Sequence, residues 1–215
     1  LYFENDYCEG AIRILQKLTE TNFEKVSGYG TDPLRQRTGE DPRRLCLSGR
    51  RRDFISGGTQ TNAIVIASML QRWQGVLAAA TGHVAAHEAG AIEYTGHKVI
   101  SLPAHEARCL PPMYGTGAPP SMPTPTTTTG VPRHGVHLPP SEYGTLYTKQ
   151  ELEDLHTVCQ EYQMPLFLAV PVGYGLMAEG TDVTLADIAR LTDVFYIGGT
   201  KGVLAGEAVV FPTVP

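Results

Sequence analysis

The chain has 215 residues, of which 42% are hydrophobic and 18% are charged, and its formal net charge at pH 7 is -5. This composition is typical of a globular protein with a sizeable core, and it excludes a disordered chain. The acidic balance argues against a dedicated nucleic-acid or membrane-surface binder. No apolar run approaches the roughly 18 residues that span a bilayer, and no leader-like segment opens the sequence, so we expect a cytoplasmic protein.

The cysteine spacing indicates free thiols. The four cysteines lie far apart and form no C-x-x-C pair, which is typical of a reducing compartment rather than of a disulfide or zinc framework. They are Cys8, Cys46, Cys109 and Cys159. Because the sequence begins at Leu1 without a methionine, we expect a fragment of a longer chain.

Helical and strand-like patterns alternate through the first half of the chain. Capping residues followed by an apolar face predict a helix whose N-terminus lies at 59–62. In chain order the patterns predict a helix within 9–23, a loop at 28–33, a helix at 59–73, strands at 75–80 and 97–102, and a helix-like segment between these strands at 83–96.

The second half repeats this alternation. A threonine cap and an acidic first turn predict a helix over 148–163. Strands are predicted at 164–170 and 194–199, with a helix at 185–192 between them. Fully apolar strands that alternate with helices predict an α/β domain with a mainly parallel sheet.

Two regions depart from this alternation. Residues 34–53 carry seven arginines with little periodicity, and residues 106–140 hold most of the prolines. Their composition favours irregular, exposed loops. Loops of this length are uncommon inside a compact α/β domain.

Three short stretches could carry chemistry. The turn SGGTQTN at 56–62 runs into a helix N-terminus, which favours an anion such as phosphate, although a plain capped turn fits equally well. His83 and His87 lie one helical turn apart, but without a third ligand a metal site is the weaker interpretation beside ring stacking or a surface position. Lys201 follows a predicted strand and a Gly-Gly-Thr turn, where a lysine could form a Schiff base or simply point into water.

Taken together, these motifs resemble the threonine aldolase / β-eliminating lyase family. The resemblance spans most of the chain and lies in six blocks, which in order read FENDYCEGA, SGYGTD, ISGGTQTNAIVIASML, TGHVAAHEAGAIEYTGHKV, EYGTLYTKQELEDL and VFYIGGTKG with the following GEAVVFP. It implies a pyridoxal-phosphate (PLP) enzyme of amino acid metabolism with the aminotransferase type I fold. The chain would then be a single, partial large domain, 1–215, of three α/β/α layers, without the small C-terminal domain of the family.

The resemblance also implies roles for individual residues. Lys201 matches the lysine that forms the Schiff base with PLP, and His83 matches the histidine that stacks on the pyridine ring. Gly58, Thr59 and Gln60 match the turn that binds the cofactor phosphate. Tyr29 matches a tyrosine that reaches the site of a neighbouring subunit, in a homodimer or homotetramer. The implied reaction is retro-aldol cleavage of a β-hydroxy-α-amino acid to glycine and an aldehyde, without a metal.

One segment departs from the family pattern. Members carry D-G-A-R-L-G-Y-G after the strand ending in PLF, where the aspartate pairs with the pyridine nitrogen and the arginine holds the substrate carboxylate. In this chain Ala169, Val170, Pro171 and Val172 replace that box, one residue short. Each loss could lower the rate by about one to two decades, so we expect weak or absent activity.

Out-of-frame translation would explain the departures together. The genetic code permits codons for 47–53, 121–130 and 132–139 that encode family-like segments in another frame. The stretch 168–173 follows from the family box by two short deletions. The hypothesis is that these stretches are out of frame, and the nucleotide sequence decides it.

Three functional interpretations therefore remain open on the sequence. The first is a threonine-aldolase-type lyase or another PLP β-eliminating lyase. The second is a catalytically silent fragment that retains the PLP fold. The third is a phosphate- or nucleotide-binding α/β protein that does not use PLP.

Overall fold

The architecture is drawn from a computed structural model that describes residues 12–29, 31–33, 51–103, 134–137, 145–170, 176, 178–199 and 206–211. Its helices are α1 (Ile12–Thr21), α2 (Gly58–Met69), α3 (His83–Ala86), α4 (Ala91–Tyr94), α5 (Lys149–Glu161) and α6 (Leu185–Leu191). Its strands are β1 (Arg51–Ile55), β2 (Val76–Ala79), β3 (Val99–Leu102), β4 (His134–His137), β5 (Leu166–Val170), β6 (Val194–Gly198) and β7 (Glu207–Phe211).

The strands form one mixed sheet in the order β1-β7-β6-β5-β4-β2-β3. From β3 to β6 all neighbouring strands run parallel. β7 runs antiparallel to both β6 and β1. The prediction of a mainly parallel sheet is confirmed.

Helices cover both faces of the sheet because the central strands carry apolar side chains in both directions. On β5, Leu166 and Leu168 pack in a core with α5 and α6, whereas Phe167 packs on the opposite side with α2, α3 and α4. On β6, Phe195 belongs to the first core and Val194 to the second. Strands that are buried on both faces read as continuous apolar runs, and they give the three α/β/α layers.

The predicted helix at 59–73 differs from α2 at both ends. α2 begins at Gly58, its N-cap is Gly57, and no side chain caps it. The helix ends at Met69, and Leu70 takes an extended conformation as its C-cap. The helix is confirmed, but the prediction that side chains at 59–62 cap its N-terminus is wrong.

The helix-like segment at 83–96 is two short helices. The break between α3 and α4 contains Ala89 with φ of 50° and Gly90 with φ of 79°. A left-handed backbone cannot continue an α-helix, and an L-residue such as Ala89 adopts it rarely. This break turns the chain so that Glu88, just before it, points back into the core.

Strands lie in both regions that were expected to be irregular. β1 includes residues of the arginine-rich region, and β4 lies in the proline-rich region. β1 is the last strand of the sheet in the described part of the chain, and a strand with one paired edge tolerates polar residues. β4 has only four residues, too few to show a periodic pattern. β7 also lies outside the predicted elements.

Among the cysteines, only Cys159 falls within the described residues. It is buried in α5 with a free thiol. Burial, and secondly the charge of Asp193, raises the pKa of Cys159 to about 12, so the thiol stays protonated and unreactive. Cys8, Cys46 and Cys109 lie outside the described residues. Within the described part of the chain, no helix combines the length and apolarity that a membrane crossing needs.

Two capping boxes fix the ends of α5 and α6, and a salt bridge joins them. Thr148 with Glu151 caps α5, and Thr184 with Asp187 caps α6. Lys149 Nζ lies 2.7 Å from Asp187 Oδ1. The hydrogen bond from Lys149, and then that from Thr184, lowers the pKa of Asp187 below its ordinary value of 3.8.

We expect Asp187→Asn to lower the free energy of unfolding by about 1 kcal/mol at pH 7, because the amide keeps an acceptor and loses the charge. Since the folded-state pKa is depressed, the stabilisation is complete above pH 3.8 and is lost as the pH falls through the folded pKa. Urea unfolding from pH 7 downward measures this. The control Asp154→Asn removes an exposed carboxylate of α5 that bonds only within its helix to Gln150. Equal losses in both variants would contradict the role of the salt bridge.

Candidate active site

The N-terminus of α2 offers an anion-binding turn. The first N–H groups of an α-helix have no acceptor within the helix, and the helix dipole adds partial positive charge there. α2 has 12 residues, and Thr59 and Gln60 are exposed in its first turn. Ser56 Oγ lies 2.5 Å from Gln60 Oε1, so the Gln60 side chain folds back on the turn. The first intrahelical bond runs from Thr61 N to the Gly57 carbonyl oxygen, so the N–H groups of Gly58, Thr59 and Gln60 have no acceptor within the helix.

Gly58 allows the turn to lie against β6. A Cβ built at Gly58 would lie 3.3 Å from the hydroxyl oxygen of Tyr196, closer than most real Cβ contacts. Tyr196 is buried near the middle of β6. Burial, and secondly the charges of Glu207 and Glu88, raises the pKa of Tyr196, so the phenol stays neutral. The turn therefore packs on a neutral hydroxyl group.

His83 is held by a buried carboxylate. His83 Nδ1 lies 3.0 Å from Glu88 Oε1, and the same oxygen accepts a hydrogen bond from Asn62 Nδ2 at 2.5 Å. The Glu88 side chain is wholly buried, whereas 38% of the His83 side chain is exposed. Asn62 lies on α2, four residues after Gly58. This carboxylate therefore joins the anion-binding helix to His83.

Unpartnered polar atoms lie in the same region. Within the described part of the chain, three buried side-chain atoms have no hydrogen-bond partner: Asn62 Oδ1, Thr81 Oγ1 and Glu88 Oε2. Buried polar atoms are nearly always satisfied by protein, water or ligand. Thr81 and Glu88 flank His83 in sequence. The atoms thus fit a site that a polar ligand or ordered water completes.

Glu207 fixes the end of β6. Gly199 N–H donates to Glu207 Oε2 at 3.0 Å and to the Gly206 carbonyl oxygen, also at 3.0 Å. Glu207 is 1% exposed, at the start of β7. Gly199 precedes Lys201 by two residues, and Lys201 itself lies outside the described residues. The backbone that leads to the predicted Schiff-base lysine is therefore anchored by a buried carboxylate.

The predicted turn and His83 belong to the same helix layer. Glu88 is hydrogen-bonded to both Asn62 on α2 and His83 on α3, and Tyr196 packs in the same core as these two helices. Tyr29 is separate from this region, because its side chain is fully exposed and its φ is 58° in the predicted loop.

At the replaced box, only the backbone of 169–170 is described. Ala169 pairs in register with Tyr196. Residues 171 and 172 lie outside the described residues.

The histidine pair forms no metal centre with other described residues. The ring centroids of His83 and His87 are 5.5 Å apart, with the planes tilted by 52°. No three histidine, cysteine, aspartate or glutamate side chains converge on a metal-sized position within the described part of the chain.

Sequence reasoning missed four residues that shape this site: Asn62, Glu88, Tyr196 and Glu207. The sequence places Asn62 in the turn at 56–62 and Tyr196 in a strand, but it does not predict the contacts that either makes. Two of the four residues carried a signal in the sequence: Asn62 is a polar residue among the apolar residues of α2, and Glu88 lies five residues after His83. Glu207 carried no signal, because β7 was not predicted.

The mixed seven-stranded sheet with helices on both faces is the fold of PLP-dependent aminotransferases. A solved single mutant of Thermus thermophilus aspartate aminotransferase matches with a TM-score of 0.70, covering 94% of this chain and 52% of that one. The two are 17% identical, so the likeness concerns the fold alone.

Closer relatives narrow the class. The solved threonine aldolase of Leishmania major matches with a TM-score of 0.89 and 38% identity, over 97% of this chain and 61% of that one. A low specificity L-threonine aldolase of a Pseudomonas species is 24% identical over 90% of this chain and 56% of its own length. The beta-eliminating lyase family model matches residues 27–213. The chain belongs to the beta-eliminating lyase family, and it spans little more than half the length of these threonine aldolases.

We expect Glu207→Ala to speed exchange of the Gly199 amide hydrogen and to lower the free energy of unfolding by about 1–3 kcal/mol, because this N–H keeps only the Gly206 carbonyl oxygen when the buried carboxylate is lost. Hydrogen exchange followed by mass spectrometry measures the first effect, and urea unfolding measures the second. Glu207→Gln is the control, since its amide oxygen can still accept the bond. Unchanged exchange at Gly199 in the alanine variant would contradict the anchoring role.

Proposed function

We propose that this chain is part of a PLP-dependent lyase of the threonine-aldolase type, which cleaves a β-hydroxy-α-amino acid to glycine and an aldehyde. The observation that carries the proposal is that Glu88 is hydrogen-bonded to both Asn62 on α2 and His83 on α3, while Tyr196 of β6 packs in the core beneath these helices. It brings an anion-binding helix end, a planar ring and the strand before Lys201 to one region. The threonine aldolases among its relatives support the substrate class.

The residues present fit the cofactor. The backbone N–H groups of Gly58, Thr59 and Gln60 would hold its phosphate, and His83 would lie against its ring. Lys201 would supply the amine that binds it covalently. When bound, PLP serves as an electron sink for cleavage at the α-carbon of an amino acid.

The chain's own residues then have separable tasks. The dipole of α2 stabilises the phosphate dianion, and Gly58 keeps the turn close to the sheet. The neutral Tyr196 phenol beneath the turn adds no negative charge against the phosphate. The Glu207 carboxylate holds Gly199, so the chain enters the connection that contains Lys201 from a fixed point.

Tyr29 would take part in the site only in an assembly of several subunits. Its side chain is fully exposed on this chain. An exposed tyrosine in a loop can contribute to the site of a second subunit, and we propose this role for it in a homodimer or homotetramer.

A catalytically silent protein that binds PLP is the second candidate. It is favoured by the replaced box, in which Ala169 stands near the place of the aspartate that pairs with the pyridine nitrogen in the family. An out-of-frame origin of 47–53, 121–130, 132–139 and 168–173 would explain this loss. Sequencing the corresponding DNA tests that origin, and the absence of family-like segments in the other frames would reject it.

We expect PLP added to the protein to give the visible absorption of a Schiff base, and Lys201→Ala to abolish it, because no other amine is placed there by the resemblance. Borohydride reduction followed by peptide mapping should find the pyridoxyl group on Lys201. Lys149→Ala is the control, since Lys149 lies on α5 in the other helix layer, where it pairs with Asp187 of α6. Retained absorption in Lys201→Ala would overturn the proposed cofactor role.

We expect threonine to yield glycine and acetaldehyde weakly or not at all, since the box that pairs with the pyridine nitrogen and the substrate carboxylate is replaced. Coupled detection of acetaldehyde by a dehydrogenase measures this release. Release that disappears in Lys201→Ala supports the aldolase, whereas PLP binding without release favours the silent protein. Release at a rate typical of enzymes, with kcat about 10 per second, would contradict the expected impairment.

A further inference from the structure

We propose that Glu88 is a positioning residue for His83, which it fixes with the proton on Nδ1, and that Asn62 holds Glu88 for this task. The use of His83 toward a cofactor rests on the proposed function. The hydrogen bonds themselves do not, and they can be tested without a cofactor.

An ionised Glu88 allows one arrangement of donors and acceptors. Glu88 Oε1 lies 3.0 Å from His83 Nδ1 and accepts from Asn62 Nδ2. An ionised carboxylate has only acceptors, so a hydrogen bond between it and a histidine nitrogen requires the proton on that nitrogen. Beside an ionised Glu88, His83 therefore carries a proton on Nδ1 in both its neutral and its charged form. Nε2 is the atom at which the ring gains or loses its proton.

Burial makes the arrangement rigid. Glu88 is 5% exposed and Asn62 is 1% exposed, and both lie in the layer of α2, α3 and α4. A buried carboxylate that loses one hydrogen-bond partner carries a desolvation penalty, so both partners are held in place. His83 differs, because more than a third of its side chain is exposed. One nitrogen of the ring is thus anchored while part of the ring surface stays accessible.

The carboxylate also couples two parts of the site. Asn62 lies one turn into α2, whose N-terminus is the anion-binding turn, whereas Glu88 follows α3. Two further polar groups lie in the same layer or core: the His87 ring, 5.5 Å from the His83 ring, and the Tyr196 phenol, which packs in the core with α2 and α3. Loss of Glu88 should therefore release the His83 ring from α2 without removing the turn itself.

The tautomer of His83 tests the proposal. Nitrogen-15 NMR of the full chain, labelled at histidine and measured without PLP, distinguishes the two tautomers, and His83→Asn assigns the signal. We expect the Nδ1–H form to exceed the Nε2–H form by about tenfold or more in the unsubstituted chain, since a hydrogen bond to a charged group is the stronger kind. We expect Glu88→Ala to remove this preference and Glu88→Gln to give an intermediate ratio.

Glu93→Gln on α4 is the matched control. Glu93 is exposed in the described structure, and its replacement should leave the ratio unchanged. Circular dichroism shows whether each variant folds. If Glu88→Ala does not fold, Glu88→Gln decides, because a ratio equal to that of the unsubstituted chain would overturn the role of the charge. A dominant Nε2–H form in the unsubstituted chain would overturn the proposal outright.

The two proposals can fail separately. Absence of the Nδ1–H preference in the unsubstituted chain, with PLP still bound at Lys201, would reject Glu88 as the positioning residue and leave the proposed function standing. The Nδ1–H tautomer in a chain that binds no PLP would reject the proposed function and leave the positioning role of Glu88 standing. A purely structural Glu88 would lower stability in Glu88→Ala while leaving the tautomer ratio of the folded protein unchanged.

Discussion

Burial of β5 and β6 on both faces is the constraint on which the rest of the structure depends. Phe167 and Leu168 are fully buried in opposite directions, so helices must cover each side of the sheet. Parallel strands joined through helices then place the helix N-termini and the strand ends at one edge. The turn before α2 and the end of β6 share that edge, because Ile55 at the end of β1 and Gly198 at the end of β6 both pair with Glu207 of β7.

Two buried carboxylates, Glu88 beside α3 and Glu207 on β7, hold residues near the candidate site. Glu88 and Glu207 are carboxylates in a largely apolar core, where an unpaired charge is costly. Each is bound to an element of the site: Glu88 to His83 and Asn62, and Glu207 to the backbone at Gly199. Their hydrogen bonds therefore set the positions of a side chain and a strand end that no apolar contact could orient.

The sequence predicted the parts of the fold that leave a periodic signal. The continuous apolar runs of β5 and β6, and the capping box at Thr148, gave the α/β class and the mainly parallel sheet. β1 and β4 were missed because an arginine-rich edge strand and a four-residue strand have no such period. For the site, the glycine turn and His83 came from local motifs. The spacing of Glu88 after His83 hinted at a pair, but its role depends on a chain reversal at Ala89 and on a partner 26 residues away, which the sequence does not show.

The antiparallel return of β7 has a further consequence for binding. Gly199 and Gly206 are joined by a backbone hydrogen bond at 3.0 Å, so the two ends of the intervening connection are fixed by the sheet itself. A connection whose ends are held in the free protein has less conformational entropy to lose when a ligand is bound. For the proposed binding of PLP, part of the conformational entropy is thus already lost when the protein folds. Mutations in the sheet, far from the ligand, would then change the affinity for PLP.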